Sequence, residues 1–213
     1  MSFKSHIRTL NAKLKRANNL LAISRHYVPK KLLTQIYYGQ FYSHLTYGCM
    51  IYGQNNDDIS TTFTLQKKAI TLMSFSEYQA PTEPLFKQLE LLTLSHIITT
   101  KRVLFVHNAL NCKLPKHFEN YFEIKTTHHN HRTVNHPNSV YSIPTGSVVL
   151  PNISVRNSRT SFRYSCAQAW NSTLKKLAIK LKELNKPPSE ENWMQKLPLF
   201  GLRKLINRLY IDP

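Results

Sequence analysis

The chain has 213 residues, 41% of them hydrophobic, and its 29 Lys and Arg residues against 11 Asp and Glu give a formal net charge of +18. This apolar content, with 10 Phe, 11 Tyr and 2 Trp, excludes a wholly disordered chain and allows one good core with a smaller appended unit. No run of about 18 apolar residues occurs, and the three cysteines are too widely spaced for a disulfide framework. We therefore expect a soluble intracellular protein, nuclear or cytoplasmic, without a membrane segment.

The positive charge is concentrated in two stretches that contain no Asp or Glu. The first runs from Met1 to Asn56 and the second from Ile124 to Lys182. In both, Lys and Arg alternate with Tyr, Phe, Leu and Trp at spacings that can fold, which predicts an ordered basic surface. Such a surface favours a polyanion, because each neutralised phosphate releases condensed counterions. Nucleic acid is the first partner to consider, and charge that only keeps the protein soluble is the alternative.

The first 112 residues predict a bundle of helices joined by short connections. Apolar residues at steps of three and four predict a first helix from Phe3 to about Ser24. Lys4, Arg8 and Lys15 form a stripe roughly a quarter turn from its apolar face. Phosphate contact and an ordinary solvated surface are both open interpretations of this stripe.

A second helix is predicted from Pro29 to about Gly53, because proline suits the first turn of a helix. Its aromatic residues point to nearly every side, and most are expected in a core and not stacked on bases. Gly48 and Gly53 are expected to mark the helix end or a close backbone approach. The aromatic residues are Tyr37, Tyr38, Phe41, Tyr42, Tyr47 and Tyr52.

Three more helices are predicted in this part of the chain. The first contains Ile59 to Met73 and carries Lys67 and Lys68 on its exposed side. A short helix has Thr82 as its cap and runs through Glu90. A long helix follows from Leu94 to Asn111.

Residues 113–160 are predicted to be a semi-ordered connector, with β-prone runs at 140–143 and 147–150 and a hairpin around Thr145-Gly146. A helix resumes at Ser161 and includes Trp170, which we expect in a core and not on a base. An amphipathic basic helix with Leu199 to Leu209 on its apolar side ends the chain.

No catalytic or metal-binding constellation emerges from the sequence. Asp57-Asp58 has no flanking apolar strand, so a solvated loop or a helix cap is preferred to a metal site. His107, Cys112 and His117, and the histidines between residues 128 and 136, lack the paired spacing of a structural zinc site. Five glycines form no phosphate-binding loop. We predict no catalytic residue, no metal and no cofactor.

Four blocks of the sequence resemble one known family, in the same order and with similar spacing. They are HYVPKKLLTQIYYGQFYSHLTYGCMIYG, LQKKAI, APTEPLFKQLELLTL and SVRNSRTSFRYSCAQAWNS. Together they are similar to the region downstream of the palm in reverse transcriptases of non-LTR retrotransposons, over nearly the whole chain. The resemblance implies a helical thumb that holds the template and primer backbones, followed by a basic part that assists RNA or DNA binding.

The resemblance implies no catalytic residue in this chain. The family's catalytic carboxylates lie in a palm segment with an aromatic-x-Asp-Asp motif that would precede Met1, and Asp57-Asp58 does not match it. For the thumb, the resemblance implies backbone contacts by Lys4, Arg8, Lys15, Lys30, Lys31, Lys67 and Lys68. For the distal part, it implies nucleic-acid contacts by Arg156, Arg159 and Arg163.

We therefore predict a mainly α, non-catalytic fragment of an RNA-directed DNA polymerase. A thumb-like helical bundle is expected at residues 1–112, an irregular and weakly β connector at 113–160, and a basic helical segment at 161–213. Expected partners are RNA, DNA or a hybrid duplex, an upstream polymerase palm, and a second copy of the chain through an exposed apolar face.

Two other functions remain open from the sequence. One is a helical module, recruited by a host, that binds a protein partner through its aromatic helices while its charge is incidental. The other is enzymatic activity by this chain alone. That activity would require metal-dependent turnover that is lost when Asp57 and Asp58 are replaced by Asn.

Overall fold

The computed structural model describes residues 3–53, 56–77, 79–125, 146–151, 161–183 and 193–211. These residues are mainly helical, which confirms the expected fold class. The chain divides into two compact units, an N-terminal unit of Met1–Ile98 with Tyr210–Asp212 and a C-terminal unit of Thr99–Leu209 with Pro213. The predicted domain boundaries at residues 112 and 160 stay predictions. None of the described helices is long and apolar enough to cross a lipid bilayer.

The N-terminal unit consists of helices in the order in which they follow along the chain. They are α1 (Lys4–Ser24), α2 (Lys30–Ile36), a π-helical turn (Tyr37–Tyr42), α3 (Ser43–Thr46), α4 (Cys49–Tyr52), α5 (Asn56–Ser74), α6 (Thr82–Gln88) and the start of α7 (Leu94–Leu110). The predicted first, third and long helices are confirmed as α1, α5 and α7.

The core of this unit forms where α1 and α5 pack together. One face of α1 is buried because its apolar residues follow the helical period, and they are Ile7, Leu10, Leu14, Ala17 and Leu21. From α5 the buried apolar residues are Ala69, Ile70 and Met73. A buried amide in α5, Gln66, also lies in this core and joins three segments.

The segment predicted as one second helix is interrupted twice. Its buried residues Leu33, Tyr37, Phe41 and Leu45 recur at every fourth position, and the π-helical turn lies in the middle of this run. Gly48 then adopts a left-handed conformation with φ of 66°, which separates α3 from α4. Gly53 has no space for a side chain, because an added Cβ would lie 2.5 Å from the Cys49 carbonyl oxygen. Both glycines therefore do what the sequence predicted.

The aromatic residues of this segment are divided between core and surface. Tyr37, Phe41 and Tyr52 are buried, as predicted for most of the set, and the rings of Tyr37 and Phe41 stack with centroids 5.3 Å apart. Burial raises the pKa of the Tyr37 and Tyr52 hydroxyls far above the ordinary value. Tyr38 and Tyr47 are exposed instead.

Three helices end on a left-handed residue that is not glycine. Phe75 follows α5, Glu90 follows α6 and Cys112 follows α7, each with φ between 53° and 58°. After α6, the Leu91 N–H donates to the Phe86 carbonyl and the Glu90 N–H to the Lys87 carbonyl, at 3.0 Å each, which is the Schellman pattern. The same pattern closes α7. No glycine marks the end of α6 in the sequence. The predicted helix therefore ran to Glu90, two residues beyond the observed end of α6.

The C-terminal unit contains the rest of α7, a short 3₁₀ turn (Lys116–Phe118), α8 (Phe162–Glu183), α9 (Trp193–Lys196) and α10 (Leu199–Ile211). α8 and α10 confirm the two helices predicted after residue 160. Ser161 precedes α8, and its hydroxyl accepts a hydrogen bond from the Tyr164 N–H at 3.3 Å, so it caps the helix. The imidazole of His107 on α7 bonds to the residue that follows α9: its Nε2 donates to the Leu197 carbonyl at 2.9 Å.

A short segment within the predicted connector, residues 146–151, is described by the structure and forms a bridge. Val148 forms an isolated antiparallel bridge with Ile124, with hydrogen bonds on either side of it: the Lys125 N–H donates to the Ser147 carbonyl at 2.8 Å and the Val149 N–H to the Glu123 carbonyl at 2.8 Å. The predicted hairpin would have paired this segment with residues 140–143, which lie outside the described residues. Its observed partner is 24 positions away.

Two residues of α8 attach to this segment. The Trp170 indole N–H donates to the Gly146 carbonyl at 3.0 Å, and the side chain is 1% exposed, which confirms that this tryptophan belongs to a core. The Asn171 amide accepts from the Val148 N–H at 2.8 Å and donates to the Val148 carbonyl at 2.9 Å. On the same helix, burial raises the pKa of the Cys166 thiol from 9.0 to about 12.

One predicted capping role is wrong. Thr82 is the first residue of α6, Pro81 precedes it with extended backbone angles, and no side chain caps this helix. Proline fixes its own φ near the value that a helix start requires, so the turn is defined without a hydroxyl cap. Asp57 and Asp58 lie in the first turn of α5 by its bounds.

Candidate nucleic-acid interface

The basic stripe of α1 is exposed along one flank of the helix. Lys4, Arg8 and Lys15 are all exposed, and no carboxylate occurs in the sequence before Asp57. The three side chains extend over about 16 Å of helix axis, at a rise of 1.5 Å per residue. The flank therefore offers three cations in a row on a rigid element.

The neighbour of this flank is α5. Asn11, on the same side of α1 as the three cations, accepts a hydrogen bond from the Thr62 hydroxyl at 2.8 Å. Further along, the Asn18 amide donates to the Leu65 carbonyl at 3.0 Å, and the Arg25 guanidinium lies 5.0 Å from the centroid of the Phe75 ring. From the first of these three contacts to the last, the residue numbers on both helices increase. α1 and α5 therefore run parallel.

The two adjacent lysines of α5 point to different sides. Successive residues of a helix project about 100° apart, so Lys67 and Lys68 cannot share one face. The register of α1 against α5 puts Lys68 on the side that borders Lys15. Lys67 points away from it, and its Nζ lies 4.7 Å from the centroid of the Phe63 ring. Both lysines are exposed as predicted, and we infer that Lys68 is the one that extends the α1 stripe.

Lys30 and Lys31 begin α2 and are exposed. α1 has 21 residues and is therefore about 30 Å long. Since α2 follows the end of α1, these two lysines are separated from Lys4 by roughly that length. A single ligand would have to extend along the whole of α1 to contact both Lys4 and these two lysines.

Arg163, the one distal candidate that the structure describes, is less accessible than the stripe. Arg163, in the first turn of α8, is half-buried, and its guanidinium lies 5.3 Å from the centroid of the Tyr121 ring. This cation–π contact gives Arg163 a packing role in the C-terminal unit. Arg156 and Arg159 lie outside the described residues. A nucleic-acid role for these three arginines stays a prediction.

A cleft that the sequence analysis did not single out lies on the other side of α1. It has a volume of about 490 Å³ and is lined by His6, Thr9, Leu10, Lys13, Ser43, His44 and Tyr47. The signal was present in the sequence as His6, Thr9 and Lys13, spaced three and four residues apart. These three share one face, and Lys13 projects about 160° away from Lys15.

The residues considered for metal binding or catalysis do not come together in the part of the chain that the structure describes. Within it, no group of three or more His, Cys, Asp or Glu side chains could hold a metal ion. His107 is buried and bonded to the Leu197 carbonyl, while Cys112 and His117 are exposed. The histidines between residues 128 and 136 lie outside the described residues.

Comparison with known proteins adds no relative to this picture. No protein-family model, no curated protein and no solved structure matches the chain.

Proposed function

We propose that this chain is a non-catalytic nucleic-acid-binding module of the thumb type, which binds RNA, DNA or a hybrid duplex through its phosphates. The proposal places it with the region downstream of the palm in non-LTR retrotransposon reverse transcriptases, on the four sequence blocks that resemble this family. The observation that carries the binding function is the exposed row of Lys4, Arg8 and Lys15 on α1.

The rigidity of this row supports phosphate binding over incidental charge. α1 is fixed by its buried apolar face and by the Asn11 and Asn18 hydrogen bonds to α5. A fixed row of cations loses little conformational entropy when it meets a regular phosphate backbone, in contrast to a flexible basic tail. With Lys68 the row contains four cations, which predicts binding that tolerates any sequence, because phosphates carry no sequence information.

The size of the salt effect follows from the number of cations. If four phosphates are neutralised, the affinity for a hybrid duplex should fall about 10²-fold between about 50 and about 200 mM salt. Replacing Lys4, Arg8 and Lys15 with Ala should make the slope of log affinity against log salt shallower by about 2 to 3. The measurement is a salt series of fluorescence anisotropy with a labelled RNA/DNA hybrid.

A control variant separates the row from net charge. Arg16, Lys87 and Lys116 are exposed and do not belong to the row, so their replacement by Ala removes the same charge. This control should keep the wild-type slope. A flat wild-type slope, or equal losses in the two variants, would contradict the proposal.

Absence of polymerase activity is part of the proposal. It rests on the sequence, in which the residue two positions before Asp57 is Asn55, so the aromatic-x-Asp-Asp motif is not formed. A primer-extension assay with Mg²⁺ should show no incorporation. Incorporation that disappears when Asp57 and Asp58 become Asn would make the chain an enzyme.

A second candidate function has an observation of its own. Leu20, Ile23, Tyr27 and Leu32, at the end of α1 and the start of α2, are large apolar residues exposed to solvent. Exposed apolar groups of this kind favour a protein partner or a second copy of the chain. Concentration-dependent self-association that survives high salt, without nucleic-acid binding, would select this function.

A further inference from the structure

We propose that the cleft lined by His6, Lys13, His44 and Tyr47 binds one nucleotide of a single-stranded RNA or DNA segment. This site is separate from the row of Lys4, Arg8 and Lys15. The inference rests on the proposed function in one respect, since both take nucleic acid as the ligand.

The backbone explains why Tyr47 is presented to solvent. Tyr47 lies between α3 and α4 with an extended ψ of 115°, and Gly48 follows in the left-handed region. Its N–H donates to the His44 carbonyl at 3.3 Å, which fixes the turn. Tyr47 is 74% exposed, whereas Tyr37 and Tyr52 of the same segment are buried. An exposed aromatic ring on a fixed turn is a surface on which a base can stack.

His6 forms the wall of the cleft beside this ring. Its imidazole lies 6.2 Å from the Tyr47 ring and 5.5 Å from the Tyr52 ring, measured between centroids. Tyr52 is itself held by a hydrogen bond from its hydroxyl to the Leu45 carbonyl. The position of His6 is therefore set by a buried residue, and the wall is present before any ligand binds.

The charge of the cleft selects the chemical class of the ligand. Lys13 contributes a cation, and two imidazoles contribute hydrogen-bonding nitrogens. The Thr9 hydroxyl donates to the Ser5 carbonyl and the Ser43 hydroxyl to the Gly39 carbonyl, so both are already used as donors. Because no lining residue is acidic, the cleft suits a ligand with an anionic group and a flat aromatic ring.

A nucleotide has both of these groups, and a single strand is the form in which it can enter. In a duplex the base is paired and stacked, so it cannot reach Tyr47 without being extruded. A volume of about 490 Å³ is within the range of small-ligand pockets and admits one nucleotide. Lys13 would then contact the phosphate while the base stacks on Tyr47.

The test uses the full chain and short single-stranded oligonucleotides that contain 5-iodouracil, as RNA and as DNA. After irradiation, mass spectrometry should find the adduct on Tyr47, and the strength of crosslinking in the two arms tells which sugar is preferred. The double variant Lys13→Ala with Tyr47→Ala should lose the adduct and bind the strand about 10-fold or more weakly. Tyr47→Phe should keep both.

The matched control changes a lysine and a tyrosine outside the cleft. Lys87→Ala with Tyr38→Ala removes the same two groups from exposed positions outside both the cleft and the α1 row, and should retain the adduct. Wild-type single-strand affinity in the Lys13 and Tyr47 variant, or crosslinks only elsewhere in the chain, would overturn the inference. If the Tyr47 adduct forms but the affinity for the hybrid duplex does not fall with salt, the proposed duplex function alone would be overturned.

Discussion

Each unit of the molecule contains side-chain amides that bond to the backbone of distant segments, and two of them, Gln66 and Asn171, differ in burial. In the N-terminal unit, Gln66 donates to the Leu92 carbonyl at 3.0 Å and to the Tyr37 hydroxyl at 3.2 Å, and accepts from the Leu94 N–H at 2.8 Å. In the C-terminal unit, Asn171 bonds to both the N–H and the carbonyl of Val148. Gln66 is fully buried, and Asn171 is half-buried.

The difference in burial predicts that the same kind of amide–backbone hydrogen bond contributes differently to stability in the two units. In both cases an amide pairs with an N–H and a carbonyl of a distant segment, because buried backbone groups need partners. Water can replace the Asn171 amide at its half-buried position. Gln66 and its bonds to the Leu94 N–H and the Tyr37 hydroxyl are buried, so the loss of Gln66 leaves buried groups without this hydrogen-bond partner.

The largest effect is expected from Gln66→Ala. The change leaves the Leu94 N–H, the Leu92 carbonyl and the Tyr37 hydroxyl without this partner, so the free energy of unfolding should fall by about 3 kcal/mol. Urea denaturation followed by circular dichroism measures it. Gln35, exposed on α2, is the control, and Gln35→Ala should cost less than about 0.5 kcal/mol. Equal stability of the two variants would show that the amide is not needed.

Trp170→Phe should have the next largest effect. The hydrogen bond from the indole N–H to the Gly146 carbonyl is lost and the smaller ring leaves a void. The free energy of unfolding should therefore fall by about 2 kcal/mol. The half-buried Trp193 supplies the control, Trp193→Phe, which also leaves Trp170 as the sole indole. In that control variant, iodide should not quench the fluorescence, because Trp170 is buried. Strong quenching would contradict its assignment to a core.

Asn171→Ala should destabilise the protein by about 1 kcal/mol, since Asn171 is half-buried and water can take the place of its side chain beside the buried Val148. Gln168, an exposed amide on the same helix, is the comparison, and Gln168→Ala should have almost no effect. Urea denaturation measures both variants. A loss as large as that of Gln66→Ala would remove the contrast between the two amides.

The smallest effect is a pH dependence that comes from Cys166. Burial raises the pKa of its thiol to about 12, so above pH 9.0 the unfolded chain releases a proton that the folded chain keeps. Unfolding is then favoured as pH rises, and Cys166 should account for about 0.8 kcal/mol of lost stability between roughly pH 8 and 9.5. The measurement is the same denaturation at several pH values in wild type and in Cys166→Ala, whose pH slope should be smaller. Identical slopes would show that the thiol titrates alike in both states.

The long helices were predictable because their apolar residues follow the helical period over more than four turns. α1, α5 and α7 were expected within a few residues of their observed bounds, and α8 within one residue of its start. The ends were harder to predict where Phe75, Glu90 and Cys112 take the left-handed conformation that usually indicates glycine. The bridge of Val148 to Ile124 was not predicted, because nothing local in either segment specifies a partner so far along the chain.

The candidate site was only partly predictable for a related reason. Exposure of the α1 cations follows from the helical period, and the structure places each of them on the surface as expected. The side of α5 that borders them depends on the register between two helices, which the sequence does not specify, so Lys67 and Lys68 were grouped together. The cleft was missed because Tyr47 resembles its buried neighbours in sequence, and only the turn before Gly48 exposes it.

The π-helical turn accommodates one residue more than an α-helix with the same buried face would contain. Each four-residue step of an α-helix turns about 40° too far, so the three steps from Leu33 to Leu45 would rotate the last side chain by about 120° out of the core. The wider π-helical turn takes up this excess. Gly39 is exposed, with nothing within 4 Å of an added Cβ, and a substitution there has room. A deletion at the same position would leave the four buried residues at steps of four, three and four, which an α-helix keeps on one face, so related chains that lack this residue should replace the π-helical turn with α-helix and keep the same core.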